Sequence, residues 1–361
     1  MAFEPVQRRL QYVLEAYDKR PIKNVTLCYF GMANEVFIIT TKEGKFVLKN
    51  CFKNNTEALI KNEVALIHHL NHHGCPTPHI IPTKEGRDYL LFDDEIYIMT
   101  AFCDDLTFNW ETPIPQQAHK QSIRAMAHFH KATHSFEAPN PNNRRAFLDM
   151  DSYFEWLHQL KSSLNDERYA HNHSAMLKLI PQFEALAKQV KLACDGEDTS
   201  VLESCYVHGD MHCFNLFYDK DHHYTKVIDF DFVRQDHRLA DIHWTSRILF
   251  YRMLNETFSH EELSSDSFTL PDLKLLEMLK NVWLTVIKQY RLVCPISKQE
   301  LALAHLYAQA VPIYISQFYS VTNSDAECCD HVGWFEWELR ESANKLPIFK
   351  QALNEVLNEL G

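Results

Sequence analysis

The 361-residue sequence has only 8 glycines. Glycine supplies positive φ and close backbone approach, so its scarcity makes each one worth locating. No Cys-x-x-Cys pair exists; the 10 cysteines are scattered, with Cys328 and Cys329 adjacent and the others isolated. That argues against a zinc ribbon and a thioredoxin-type motif, and leaves small reduced core thiols. No apolar run approaches the ~18–20 residues that span a bilayer. Positive charge is in short supply too: 36 Lys and Arg stand against 48 Asp and Glu, a formal net charge of −12. Phosphate backbones demand clustered Lys and Arg, so nucleic acid is disfavoured as a partner. A cationic or neutral small molecule is compatible with that charge. The opening MAFEPVQRRLQYVLEAYDKR is charged and periodic, without an apolar core, so the expectation is a soluble, cytoplasmic protein with no membrane association.

What is present is a 46% hydrophobic chain long enough for two domains or for one domain with two lobes. Residues 5–19 carry Val6, Leu10, Val13 and Leu14 at helical spacing. Strand patterns follow at Phe37–Thr40 and Phe46–Leu48, with a turn at Lys42–Lys45. Residues 56–73 return to helix, with Leu59, Val64, Leu66, Ile67 and Leu70 apolar and Gly74 as the stop. HIIPTKEGRDYLLFDDEIYIMTAFC reads as further strands with turns at Glu85-Gly86 and Asp93-Asp94. After Asp105 the segments 116–134, 151–164, 173–194, 271–291, 298–320 and 346–359 are helical by period. Strand-like Tyr206-Val207, Leu216–Tyr218 and Val227–Phe230 interrupt them. The expected fold is α+β. Residues 1–103 form a lobe with a small antiparallel sheet and one packed helix. Residues 104–361 form a larger helical lobe with a hairpin at 205–231.

The stretch VHGDMHCFNLFYDKDHHYTKVIDFD, residues 207–231, concentrates polar chemistry among apolar neighbours. Buried carboxylates are costly unless paired or metal-bound, so Asp210, Asn215, Asp229 and Asp231 read as a set. A strand–loop–strand hairpin returns Asp229 toward Asn215 and Asp210. This matches the needs of phosphoryl transfer from ATP: one carboxylate for the proton of the attacking hydroxyl, and one carboxylate with one amide oxygen for Mg²⁺.

HGDMHCFN followed by VIDFD resembles the signature of the aminoglycoside phosphotransferase and choline kinase superfamily, small-molecule relatives of protein kinases. Gly74-Cys75-Pro76-Thr77-Pro78 is similar to a segment of type II homoserine kinases. The resemblance covers about residues 23–250. It implies a bilobal, protein-kinase-like fold that transfers the γ-phosphate of ATP, or of GTP, to a small-molecule hydroxyl acceptor with Mg²⁺. By motif position, Asp210 is the base, and Asn215 and Asp229 are the metal ligands. Asp231, His208 and His212 are possible supporting residues, and Asp241 is a structural acid. Lys49, ending the strand Phe46–Leu48, matches the phosphate-binding lysine, and Glu63 in the following helix its ion-pair partner. Gly31 and Asn34 fall in the phosphate-loop position. Met99, Thr100 and Phe102 fall in the segment whose backbone binds adenine.

Other readings compete. His208, Asp210, His212, Asp229 and Asp231 also suit a transition-metal hydrolase, but that leaves Asn215, Lys49 and Glu63 unexplained. A protein Ser/Thr kinase on the same fold would need an activation segment ending in an APE-type motif, and none follows IDFD. A catalytically dead binding module conflicts with the intact Lys49, Asp210, Asn215 and Asp229. His68, His69, His72 and His73 point in successive helical directions and read as a solvated helix end. Glu336, Glu338 and Glu341 read as a solvated face. If acids such as Asp104, Asp105, Asp149, Asp151, Glu155, Glu336 or Glu338 instead converge near aromatics, they favour an ammonium-bearing acceptor. Candidate acceptors are an amino alcohol, homoserine, a sugar or an aminoglycoside. Nothing in the sequence specifies an oligomeric state.

Overall fold

The alternating apolar residues of the first hundred positions build a five-stranded antiparallel sheet. Its strands are β1 (Ile22–Cys28), β2 (Glu35–Thr41), β3 (Lys45–Asn50), β4 (Leu90–Phe92) and β5 (Glu95–Ala101), in the order β1-β2-β3-β5-β4. In this computed structural model the described residues are 3–19, 22–28, 34–51, 56–109, 112–141, 144–163, 173–259, 262, 270–322 and 332–360. The β2–β3 turn closes through the Thr41 N–H on the Gly44 carbonyl at 2.8 Å, with Gly44 at φ 138°. That conformation suits only glycine.

Each face of the sheet has its own core. Leu48, Tyr97 and Met99 join Phe37, Ile39 and Leu90 on one face, under Leu10, Val13 and Leu14 of α1 (Phe3–Ala16) and Tyr17 just beyond it. Ile96 and Ile98, one residue out of phase along β5, pack with Cys51 and with Ile60 and Val64 of α2 (Glu57–His72). The sheet therefore carries two helices, where the sequence suggested one. The stripe at 10, 13, 14 and 17 needs an apolar surface of its own, and the second face of the sheet supplies it. Helix α2 begins at Thr56, whose side chain accepts the Leu59 N–H, and ends with Gly74 at φ 77°.

Contacts divide the chain into two units. The first comprises Met1–Gln121, Ala132–Asn143 and Cys213–Asp231, and the second Ser122–Lys131, Arg144–His212 and Phe232–Gly361. The hairpin of β7 (Leu216–Tyr218) and β8 (Tyr224–Val227) falls in the first unit, where the sequence reading grouped 205–231 with the helices. Backbone bonds explain this: Val227 N–H reaches the Pro76 carbonyl at 2.8 Å, and Tyr218 bridges Leu106. Strand β8 stops at Val227, so Asp229 and Phe230 are not in the strand.

The second unit is helical. It holds most of α3 (Gln116–Thr133), then α4 (Met150–Ser163), α5 (His173–Asp195), α6 (Leu239–Thr257), α7 (Asp272–Tyr290), α8 (Lys298–Ala302), α9 (Ala304–Thr322) and α10 (Val332–Glu359). A two-stranded ladder of β6 (Ser204–Val207) with β9 (Arg234–His237) leads into α6. Neither β9 nor α6 was expected from sequence. Helix α6 buries Asp241, His243, Thr245, Ser246 and Arg252, so its apolar period is broken by buried polar residues. The last helix starts at Val332 rather than 346. Among the described residues, no helix is long and apolar enough to cross a membrane.

Arg238 fixes the start of α6. Its guanidinium forks onto Glu300 of α8 at 2.8 and 2.6 Å, reaches Glu203 at 2.9 Å and donates to the Pro295 carbonyl at 2.8 Å. The Arg238 and Glu300 side chains are 4% and 2% exposed. Removing one partner strands the other charge, at a cost of about 3–5 kcal/mol. Arg238→Ala is therefore expected to lower the urea midpoint by a loss of that size, whereas Lys191→Ala, in an exposed pair with Asp195, shifts it little. Equal shifts in the two variants would contradict this assignment.

Candidate active site

Alternation along β3 sends Leu48 into the core under α1 and Lys49 to the α2 face. Glu63 of α2 stands there, three residues beyond buried Ile60, and its Oε1 lies 2.9 Å from Lys49 Nζ. The ammonium also pairs with Asp231, whose other carboxylate oxygen accepts from Asn34 Nδ2. Lys49, Glu63 and Asp231 are 17%, 10% and 10% exposed. Burial alone pushes the ammonium toward neutrality, but Asp231 and Glu63 outweigh it and hold its pKa well above the ordinary lysine value. Lys49 is thus a fixed positive charge. Asp231, expected only as a supporting residue of the metal site, is its second partner.

The hairpin aligns the candidate metal ligands. A short 3-10 turn, Cys213–Asn215, enters β7, and Leu216 pairs with Val227. The Ile228 N–H then donates to the Asn215 carbonyl at 3.0 Å, so Asn215 and Asp229 share one end of the hairpin. Asp229 sits at φ 68°, a left-handed conformation that costs a non-glycine residue free energy and is concentrated at functional positions. An amide oxygen and a carboxylate are hard ligands, and Mg²⁺ commonly takes only one or two carboxylates from protein. The donor set fits that ion.

In the second unit the base candidate is held from several directions. Gly209 is at φ 82°, and a Cβ there would lie 2.4 Å from the Phe232 carbonyl and 2.8 Å from Arg234 Nη1, so this position admits only glycine. The buried Asp241 carboxylate accepts the His208 N–H at 2.7 Å and the Gly209 N–H at 2.9 Å. It also meets His130 Nε2 at 3.0 Å, and His130 Nδ1 meets the Tyr290 hydroxyl at 2.9 Å. Burial raises the Asp241 pKa, but His130 and the loop donors hold it below the usual range. Asp210 itself takes a hydrogen bond from the Trp244 indole at 3.0 Å and lies 3.4 Å from His212 Nε2. Burial pushes its carboxyl up, yet His212, His208 and Trp244 together lower it to about 2. A carboxylate so acidic is a weak base, suited to orienting a hydroxyl and taking its proton late.

Lys49, Glu63, Asn34 and Asp231 come together in the first unit, and Asn215 and Asp229 share the hairpin end. His208, Asp210 and His212 belong to the second unit, with His208 fully buried beside Phe129. Gly31 lies outside the described residues. Met99 is a core residue whose carbonyl accepts the Ile81 N–H at 2.8 Å, and the Ala101 N–H is bound to the His79 carbonyl at 2.8 Å. These bonds engage the Met99 carbonyl and the Ala101 N–H. Thr100 pairs with Val47 and bridges Ile80. The helix-end histidines find separate polar partners, although the His69 and His73 rings stack at 3.9 Å: His69 bonds the Ala132 carbonyl, His73 the His69 carbonyl, and His68 pairs with Asp88. Among the described residues no group of three or more His, Cys, Asp or Glu is arranged to hold a metal ion, which removes support from the hydrolase reading. Trp244, His130 and Tyr290 were not expected from sequence. Their partners lie 34, 111 and 160 residues away along the chain, beyond any local period.

Comparison with known proteins bears on this arrangement. The sequence profile of the phosphotransferase enzyme family matches residues 29–276. No curated protein matches the chain in sequence. Among solved structures, an aminoglycoside phosphotransferase from Alicyclobacillus acidocaldarius superimposes with TM-score 0.61 at 16% identity, over 97% of this chain and 96% of its own. An amicoumacin kinase in complex with AMP-PNP, Ca²⁺ and amicoumacin gives 0.64 at 15% identity, over 93% of each chain. A microcompartment-associated aminopropanol kinase gives 0.65 at 15% identity, over 96% of this chain and 99% of its own. At these identities the likeness establishes the α+β kinase-like fold. With the profile spanning more than half of its length, the chain belongs to the phosphotransferase enzyme family and is a kinase-type enzyme.

Proposed function

We propose that this enzyme transfers the γ-phosphoryl group of ATP to a hydroxyl of a small molecule. The observation that carries the reading is Lys49, a permanently charged ammonium fixed between Glu63 and Asp231 in the unit that also holds Asn215 and Asp229. The named complex of the amicoumacin kinase with AMP-PNP and Ca²⁺ supports nucleotide and divalent-metal use, and the aminopropanol kinase supports a small hydroxyl acceptor. Amino alcohols, homoserine, sugars and aminoglycosides remain the candidate acceptors.

Asn215 and Asp229 would hold Mg²⁺, which on binding neutralises phosphate charge. Lys49 supplies a second fixed positive charge for the phosphates, and Glu63 keeps it oriented. Asp231 holds Lys49 and Asn34 in register. Asp210 accepts a hydrogen bond from the acceptor hydroxyl, aims its oxygen and takes its proton as the new bond forms. Phosphoryl transfer has a loose transition state with little proton transfer early on, so a carboxylate near 2 suffices for the task. Asp241, through the His208 and Gly209 amides, fixes where that carboxylate points.

Asp210→Asn keeps the shape and removes the proton acceptor. Its turnover is expected to fall by at least ~10²-fold with nucleotide affinity retained; near wild-type turnover would show that Asp210 is not the base. Asp229→Ala leaves a neutral Asn215 as the remaining ligand and should weaken Mg²⁺-dependent nucleotide binding more than about tenfold in calorimetric titration. Unchanged affinity and activity would reject the metal assignment.

The pH dependence follows from the same contacts. With its carboxyl at about 2, Asp210 stays ionised across the neutral range, and it loses its charge only as pH falls through that value. His212→Asn removes the largest influence opposing burial, so the Asp210 pKa rises and the acid limb of kcat should move to higher pH. An acid limb at the same pH in both proteins would contradict the coupling.

A further inference from the structure

The second unit contains a chamber of about 90 Å³ walled by α6, α7, α9 and α10. Leu275, Leu279, Trp283, Val311 and Phe349 form its apolar wall. His243 also lines it, is 5% exposed, and its Nδ1 has no hydrogen-bond partner among the described residues. Burial, with Arg247 beside it, holds this imidazole neutral, its pKa lowered to about 3. Nδ1 is closed off from the chamber and Nε2 is not, so Nε2 is the ring nitrogen within reach of a ligand. An imidazole buried without partners is costly, and a ligand group that bonds Nε2 offsets that cost.

The charged residues of the chamber already satisfy one another. Arg247 pairs with Glu338, which is 2% exposed, and its guanidinium lies 4.8 Å from the centre of the Tyr251 ring. Lys345 pairs with Glu341 at 3.0 Å. Glu338 is thus neither a solvated residue nor a free carboxylate awaiting an ammonium. Other acids that suggested a cationic acceptor are also engaged: Asp149 accepts the Ser152 N–H and Glu155 pairs with Arg145. A ligand with net charge would find no free counter-charge here.

Helix α6 connects the chamber to the base. Trp244, Arg247 and Tyr251 follow one another at i, i+3 and i+7, on one helical face. Trp244 donates to Asp210, while Arg247 and Tyr251 line the chamber about 5 and 10 Å further along the axis.

We propose that the chamber seats the non-reacting end of the acceptor, and that this end is largely apolar, carries no net charge and offers one hydrogen-bonding group to His243. This rests on the phosphotransfer reading above for the identity of the ligand as acceptor. The test compares three probes of equal length: 1,5-pentanediol, 5-amino-1-pentanol and 5-hydroxypentanoate. Binding is followed without nucleotide by ligand-observed NMR, and transfer is followed separately by phosphorus NMR with Mg-ATP. The diol is expected to bind at least about tenfold tighter than the amine or the acid. In His243→Phe, with native circular dichroism, that preference should be lost. Val311→Ala enlarges the chamber and should move the preferred diol to a longer chain, a gain that misfolding does not produce. Equal or tighter binding of the amine or the acid, no saturable binding of any probe, or a preference unchanged in His243→Phe would each overturn the inference. Diol binding as expected with no phosphorylated product would overturn the assignment of the chamber to the acceptor, whereas the phosphotransfer reading itself falls only if no acceptor in a wider panel is phosphorylated.

Discussion

The Asp241 carboxylate is the contact on which the loop that carries Asp210 depends. Burying a charge is expensive, and here the cost is offset by the His208 and Gly209 amides and by His130. Those same bonds set the path of the backbone into Asp210. Arg238, one residue before α6, anchors that helix to α8, and Trp244, one turn after its start, returns to Asp210. One helix therefore carries both the acid that shapes the loop and the indole that donates to Asp210. In the first unit Lys49 has an analogous role, since its two carboxylates would each be unstable there without it.

The parts of this arrangement visible in the sequence were those with short-range logic. Lys49, at the end of the strand Phe46–Leu48, and Glu63, in the helix that follows, were legible through the resemblance, which needs only their order and local elements. Asn215 and Asp229 follow from hairpin spacing, with Leu216 opposite Val227. Contacts that close over long chain separations left no such trace. Nothing near Trp244 announces Asp210, and nothing near His130 announces Asp241 or Tyr290. Helix α6 was obscured because the polar residues it buries interrupt the apolar stripe by which a helix is recognised.

Acidic composition illustrates the same limit. A net charge of −12 suggests carboxylates in search of a cation. Yet the buried acids near the functional elements are individually matched: Asp231 with Lys49, Asp236 with Arg234, Glu300 with Arg238, and Glu338 with Arg247. Burial selects for pairing, so the excess of negative charge does not by itself define the polarity of a ligand site.

The central claim is transfer of a phosphoryl group to a small hydroxyl compound, and incubation with γ-labelled ATP, Mg²⁺ and a panel of alcohol acceptors tests it most directly. The account predicts label in a small-molecule phosphate ester, with none formed when Mg²⁺ is chelated. Label confined to protein, or ATP left intact with every acceptor, would contradict it.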